Sequence, residues 1–235
     1  LETDSLEEAL NAARSGRFGF PLVIKADGLA AGKGVIIAPS LPEADAAIRQ
    51  ILEDRILGEA GSKILLEQFL TGEEVSFLVF SDGVHALPMV PSQDHKTVFD
   101  NDLGPNTGGM GAYSADWILS LSAHRELMER IVMPTLAGMA AEGMPYRGIL
   151  YFGLMMTRDG IRVLEYNARM GDPETQPVLF RLESDLLDIC DALLEQRLDQ
   201  VRLKWDSQRS LCVVLASGGY PGEYERGCEI SGLNG

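Results

Sequence analysis

Glu165, Asn167, Arg169 and Asp172 fall close together in V-L-E-Y-N-A-R-M-G-D-P-E-T-Q-P, Val163 to Pro177. At a two-residue period, Val163, Glu165 and Asn167 share one face of a strand, and Leu164 and Tyr166 share the other. A carboxylate and an amide carbonyl side by side are hard oxygen ligands, which suits Mg²⁺. Arg169 adds a planar fork for a carboxylate or phosphate. Gly171, Asp172 and Pro173 then turn the chain. The same residues also suit a plain strand end with a polar turn, in which Glu165 only pairs with Arg169.

Three further stretches carry chemistry. Lys25 to Gly34 reads K-A-D-G-L-A-A-G-K-G. Its small residues leave backbone N–H groups open to an anion, and Lys25 and Lys33 supply charge. It is not a Walker loop: the gap from Gly28 to Gly32 is one residue short, and Gly34 stands where Ser or Thr belongs. A phosphate-covering loop between two strands fits, as does an ordinary glycine-rich hairpin. Glu67 to Glu74 reads E-Q-F-L-T-G-E-E. It offers an apolar slot for a base and carboxylates for ribose hydroxyls, or a simple linker. Gln93 to Tyr113 crowds Asp94, Lys96, Asp100, Asp102, Asn106 and Thr107 into one stretch, followed by Gly108-Gly109-Met110-Gly111. A solvated glycine-rich loop explains its charges but not its length.

Elements must hold these groups. Ser5-Leu6-Glu7-Glu8 and Ser40 to Glu43 are capping boxes that open helices, the second running to about Leu57. Leu22–Lys25, Val35–Ala38 and Lys63–Glu67 read as strands. Glu73–Phe80 and Val84–Val90 flank Ser81-Asp82-Gly83 as a hairpin, and Ile149–Thr157 and Ile161–Asn167 form a second one. Pro91 to Ser114 shows no periodicity and is expected to be a long functional loop. Helices are expected over Ser122–Glu142, with a bend at Pro134, and over Ser184–Glu195. Leu211–Ala216 reads as a strand. The first part alternates strand and helix and the next is hairpins plus helices. This predicts an α+β protein with two lobes and a ligand cleft between them.

The 235 residues are 46% hydrophobic with net charge −15, which permits a sizeable core and argues against a nucleic-acid-binding surface. Cys190, Cys212 and Cys228 are odd in number and form no C-x-x-C, which reads as reduced thiols in the cytoplasm. No apolar run is long enough to span a membrane. The start at Leu1, with no initiator Met, and the end at Gly235 suggest a piece of a longer protein.

Taken together, K-A-D-G-L-A-A-G-K-G, E-x-F-L-x-G-E-E, Q-D-H-K, G-P-N-T-G-G-M-G-A-Y-S and E-Y-N-A-R-M-G-D-P-E-T-Q-P resemble the phosphoribosylamine–glycine ligase family over nearly the whole chain, S-G-G-Y-P-G included. The resemblance implies an ATP-grasp fold, with residues 1–69 as the small lobe, 70–195 as the large lobe, and 196–235 as a connection and the start of a truncated further domain. It implies ATP and Mg²⁺ (or Mn²⁺) as cofactors, and glycine and 5-phosphoribosylamine as substrates. By position, Lys25, Gly32, Lys33 and Gly34 would hold the phosphates, Glu67, Phe69 and Leu70 the adenine, and Glu74 the ribose. Glu165 and Asn167 match the metal ligands. Asp94, Lys96, Asn106, Thr107, Gly109, Met110, Arg169 and Asp172 would line the substrate pocket, with Arg169 and Lys25 acting in catalysis. Thr97, Asn101, Ala115 and Ala168 depart from the usual Arg, Gly, Pro and Cys. The family's N-terminal domain, an upstream lysine and most of the C-terminal domain have no counterpart in the sequence.

Overall fold

The computed structural model describes residues 1–28, 30 and 34–232. These form two compact units, Leu1–Thr71 and Gly72–Gly235. In the first, β1 (Glu2–Thr3), β2 (Leu22–Ala26), β3 (Val35–Ala38) and β4 (Ile64–Gln68) make an antiparallel sheet in the order β1-β4-β2-β3. Helices α1 (Leu6–Arg14) and α2 (Leu41–Leu52) bury Ala9, Leu10, Ala13, Ala44, Ile48 and Ile51 against Leu22, Ile24, Ile64 and Leu66. The Ser5 hydroxyl caps α1 by accepting from the Glu8 N–H at 3.3 Å. Ser40 makes no such bond to the backbone; its hydroxyl instead donates to the Glu43 carboxylate at 2.5 Å. The second helix ends well short of Leu57, at Leu52, beyond which Arg55 takes a left-handed φ of 55°.

The second unit is built on a larger antiparallel sheet. Its strands are β5 (Glu73–Asp82), β6 (Ala86–Pro88), β7 (Ser92–Phe99), β8 (Leu103–Ser114), β9 (Arg147–Thr157), β10 (Gly160–Asn167) and β11 (Ser210–Val213). The order is β10-β9-β5-β7-β8-β11, with β6 also on β5. The tail segment thus extends the sheet, Ser210 lying opposite Ser114. Val75, Phe77 and Val79 of β5, with Leu150, Phe152 and Leu154 of β9, bury against Leu127, Val132 and Leu136 from α3 (Leu121–Leu127) and the helical stretch leading into α4 (Met133–Ala141). On the other face Leu78, Phe80 and Tyr151 meet Val178 of α5 (Thr175–Phe180) and Ile189, Ala192 and Leu193 of α6 (Leu186–Leu194). Each such large side chain contributes roughly 1.5–3 kcal/mol by leaving water.

Two expectations change here. Pro91 to Ser114 is not a loop: β7 and β8 form a paired ribbon whose tip uses Asn101 and Asp102 at φ 61° and 54°. Register breaks at His95/Thr97 and Thr97/Phe99, together with the glycines, erase the side-chain alternation that would have announced it. The helix around Pro134 is continuous, but Met128–Val132 is π-helical. Proline has no N–H to return to the preceding turn, and a widened turn is one way to absorb that loss.

One structural carboxylate anchors the β5–β6 turn. Asp82 is fully buried and accepts from the N–H groups of Val84 (2.9 Å), His85 (2.7 Å) and Leu198 (3.2 Å), with the His85 ring at 3.0 Å. Burial alone would push its carboxyl up, but these donors outweigh that and hold it at about 2. Its stabilisation is therefore fully present above about pH 4 and is lost as pH falls toward 2. Asp82→Asn is expected to lower stability by about 2 kcal/mol at neutral pH, with the gap to the unaltered protein closing toward pH 2 in urea titrations.

Candidate active site

In the first unit, alternation turns Leu22, Ile24, Ile64 and Leu66 toward the helices. Val23, Lys25, Val35, Ile37, Leu65 and Glu67 therefore face the other way, in paired register. Val35 and Ile37 are 51% and 47% exposed there. On this apolar floor the Lys25 ammonium lies 2.6 Å from the Glu67 carboxylate. Such a surface can take a planar base on its apolar part and an anion at its ammonium. Gly28 needs to be glycine: its N–H donates to Ala60 O at 2.9 Å, and a Cβ would come 2.5 Å from Ala60 Cα. The Ala26 N–H closes the loop stem on Gly34 O at 2.8 Å. Phe69 and Leu70 follow β4 and are half-buried. Gly32 and Lys33 lie outside the described residues.

In the second unit, the site is set by a bulge. Val163 pairs with Leu154 and Glu165 with Gly153, so Leu164 is an extra residue in β10. Val163 before the bulge and Tyr166 after it both pack toward the α3–α4 side, Tyr166 meeting Phe152 edge to face at 5.3 Å. Glu165 and Asn167 thereby emerge on the opposite face, beside Gly153 and Tyr151. Without the extra residue Glu165 would share the face of Val163, against the apolar core. Gly153 makes the room: a Cβ there would come 2.9 Å from Glu165 Cγ.

That face changes character along the sheet. Leu78, Phe80 and Tyr151 are covered by α5 and α6, whereas Glu74, Ser76, Glu165 and Asn167 form a polar end joined by Asp94 and Lys96 of β7. Lys96 Nζ is 2.9 Å from Glu74 and 3.9 Å from Asp94. Burial pushes the Lys96 ammonium down, but Asp94, Glu74 and Glu165 more than offset it, and its pKa is raised. The Asp94 side chain is only 8% exposed. Burial pushes its carboxyl up to about 6, with Glu174 and Glu74 adding repulsion against the pull of Lys96. Ionised Asp94 is thus disfavoured in the unliganded fold. The penalty is absent below about pH 4, grows through about pH 6 and is complete above it. Asp94→Asn is expected to stabilise the unliganded protein by about 1–3 kcal/mol at pH 7.5 and by little at pH 4, read as the difference in Tm at the two values.

The remaining sequence-predicted residues fall as follows. Asn167 Nδ2 donates to Glu165 Oε1 at 3.3 Å. Glu165 has no ion pair within 4 Å among the described residues, and Arg169 instead donates to Met170 O at 2.8 Å. The Glu165–Arg169 pair of the plain strand-end reading is not formed. The Thr107 hydroxyl donates to Lys96 O at 2.8 Å and accepts the Gly109 N–H at 3.0 Å. Gly109, at φ 125°, packs its bare Cα face on Pro173, next to the exposed Asp172. Asn106 lies opposite Thr97 in the ribbon, and Met110 O accepts from Val214. Buried Ser76, Tyr151 and Glu174 were not singled out from sequence, since nothing in their spacing marks them. Gly153, a lone glycine in an apolar strand run, carried a usable signal of close approach.

Glu165 and Asn167 fit a hard divalent cation. Among the described residues no group of three or more His, Cys, Asp or Glu gathers into a closed cage. A carboxylate and an amide oxygen on an open polar face suit Mg²⁺, which keeps waters and shares its shell with phosphates.

Comparison with known proteins places these features in context. Residues 2–175 match the family described as phosphoribosylglycinamide synthetase, ATP-grasp (A) domain. A phosphoribosylamine–glycine ligase of Vibrio parahaemolyticus is 56% identical over 216 residues, covering 92% of this chain and 50% of the relative. One from Allochromatium vinosum is 54% identical over 230 residues, covering 97% and 53%. The crystal structure of phosphoribosylamine–glycine ligase from Thermotoga maritima superposes with a TM-score of 0.81 at 34% identity, covering 96% of this chain and 56% of that one. The chain spans about half the length of the curated relatives it matches.

Proposed function

Because the chain belongs to the phosphoribosylglycinamide synthetase ATP-grasp (A) domain family, we propose that it carries the nucleotide, metal and substrate groups of a carbon–nitrogen ligase. The reaction joins glycine to 5-phosphoribosylamine and cleaves ATP to ADP and phosphate, a step of purine synthesis. The observation that carries this reading is the bulge that delivers Glu165 and Asn167 to the polar face shared with Asp94 and Lys96.

A glycine carboxylate is a poor acyl donor. In the proposed sequence a carboxylate oxygen attacks the γ-phosphorus and ADP departs, leaving glycyl phosphate. The amine nitrogen of phosphoribosylamine then attacks the acyl carbon, phosphate leaves and the nitrogen loses a proton. Such chemistry asks a protein for positioning and charge neutralisation, not for a side-chain nucleophile. Lys25, with Lys33 and Gly34 of its loop, holds the phosphates. Glu67, Phe69, Leu70 and Glu74 receive adenosine. Glu165 and Asn167 hold Mg²⁺, which when bound neutralises phosphate charge. Lys96 and Arg169 offer cations to the substrate carboxylate or phosphate, and Asp94 and Asp172 offer carboxylates to its amine and hydroxyls.

No helix among the described residues is long and apolar enough to cross a membrane. We place the reaction in the cytoplasm, a reading supported by the free thiols of Cys190, Cys212 and Cys228. ADP release by the full-length protein, measured with Mg·ATP and with glycine and phosphoribosylamine added singly and together, tests the assignment. Sustained release is expected only with both substrates; release with neither, or with a different pair, would remove the substrate assignment.

A further inference from the structure

Ser76, Tyr151 and Glu174 are 1%, 4% and 3% exposed, and no step of the proposed chemistry uses them. The Ser76 and Tyr151 hydroxyls lie 2.8 Å apart, and each stands 2.9 Å from the same oxygen, Glu174 Oε1. They come from adjacent strands, β5 and β9, at the line where the sheet face passes from the Leu78–Phe80 core to the polar end. An aliphatic side chain in place of Glu174 would continue that core. A buried carboxylate is a costly way merely to fill space, and its use needs another reason.

The reason lies in what the carboxylate restrains. Glu174 closes the turn that leaves β10 through Arg169 and Asp172. Gly171 sits so close that a Cβ would come 2.5 Å from Glu174 Oε2. Its carbonyl accepts from both the backbone and the hydroxyl of Thr175. On the other side Pro173 rests on Gly109 of β8. The segment from Gly171 to Thr175 is therefore held between the hydroxyl pair of the sheet floor and the glycine of the ribbon.

The geometry points to Glu174 as a positioning residue. By docking on Ser76 and Tyr151 it fixes the turn that presents Arg169 and Asp172 to the amino-acid and sugar-phosphate substrates, relative to Glu165 and Asn167. This rests on the function proposed above. Lys25, Glu67, Phe69 and Leu70, the residues proposed for the nucleotide, are not part of this turn, and the effect is expected on the substrate side.

Three variants of the full-length protein test this, with KM for glycine, KM for ATP and kcat measured for each. Glu174→Leu keeps the bulk and loses the docking. It is expected to keep or raise Tm while raising KM for glycine about tenfold or more, with KM for ATP unchanged. Glu174→Gln still offers an oxygen to both hydroxyls and is expected to restore near-normal values. Tyr151→Phe removes one donor and is expected to fall between. A Leu variant that is less stable yet kinetically normal would make Glu174 a packing residue only. A Gln variant as impaired as Leu would mean that the charge itself is used. Either result overturns the positioning role. Hydrogen exchange of residues 168–176 gives a readout that does not need turnover: faster exchange is expected in the Leu variant and protection in Gln, and equal exchange would overturn the proposal. Failure of the functional reading shows separately, as an unaltered protein that releases no ADP with glycine and phosphoribosylamine.

Discussion

Glu165→Ala in the full-length protein is expected to lower Mg²⁺-dependent turnover by about a hundredfold or more, without rescue by excess Mg²⁺. The size follows from the several kcal/mol that a bound divalent cation supplies to phosphoryl transfer, at roughly 1.4 kcal/mol per tenfold. Glu165 is suited to this test because it does little else. It is exposed, forms no close ion pair among the described residues, and its carboxylate accepts a hydrogen bond from Asn167. The free energy of unfolding should therefore stay within about 0.5 kcal/mol of the unaltered protein, with Tm little changed. Loss of turnover at unchanged Tm separates a metal ligand from a fold residue. Near-normal activity would remove Glu165 from the metal site.

The largest expected loss of stability lies elsewhere, at Arg181. This guanidinium is 2% exposed. It donates to Ser114 Oγ at 2.9 Å, to Asp116 Oδ1 at 2.6 Å and to Asp206 O at 3.0 Å. In return Arg181 O accepts the Asp206 N–H at 2.8 Å. One side chain thus ties the end of β8, the end of α5 and the segment before β11. The Asp116 carboxylate is largely exposed, so water screens that pair and its share is small. The loss comes mainly from leaving buried Ser114 Oγ and part-buried Asp206 O without their donor. Arg181→Leu is expected to destabilise by about 3 kcal/mol in urea unfolding. Arg181→Lys should recover little, because one ammonium cannot span three acceptors in a fixed fork. Unchanged stability in either variant would contradict this account of how the tail is held.

Much of the scaffold was legible in the sequence because its signals are local. Ser5 and Glu8 announced a helix start, and the strands read over Leu22–Lys25, Val35–Ala38, Lys63–Glu67 and Ile149–Thr157 stand close to where they were read, whereas Val84–Val90 and Leu211–Ala216 shorten to Ala86–Pro88 and Ser210–Val213. The hairpin read at Ser81-Asp82-Gly83 is present, but Ser81 and Asp82 belong to β5 and the reversal falls over residues 83–85. The ribbon over Ser92–Ser114 was hidden because backbone ladders hold it while glycines and broken register blank the side-chain pattern. Glu165 and Asn167 do share a face, as strand alternation says. Alternation alone would also have put Val163 there, and only the bulge at Leu164 sends that residue to the core. Glu174, Ser76 and Tyr151 are separated by about a hundred residues at the widest and meet only through β5–β9 pairing. No spacing rule joins residues that far apart. Arg181 was silent for the same reason, since its three partners come from distant segments.

The central claim is that ATP activates the glycine carboxylate at this site. Glycine labelled with ¹⁸O in its carboxylate, supplied with Mg·ATP and phosphoribosylamine to the full-length protein, tests it most directly. The account predicts that one labelled oxygen appears in each inorganic phosphate released, because the carboxylate oxygen that attacks the γ-phosphorus leaves with it. Unlabelled phosphate, with product formed at the normal rate, would contradict it.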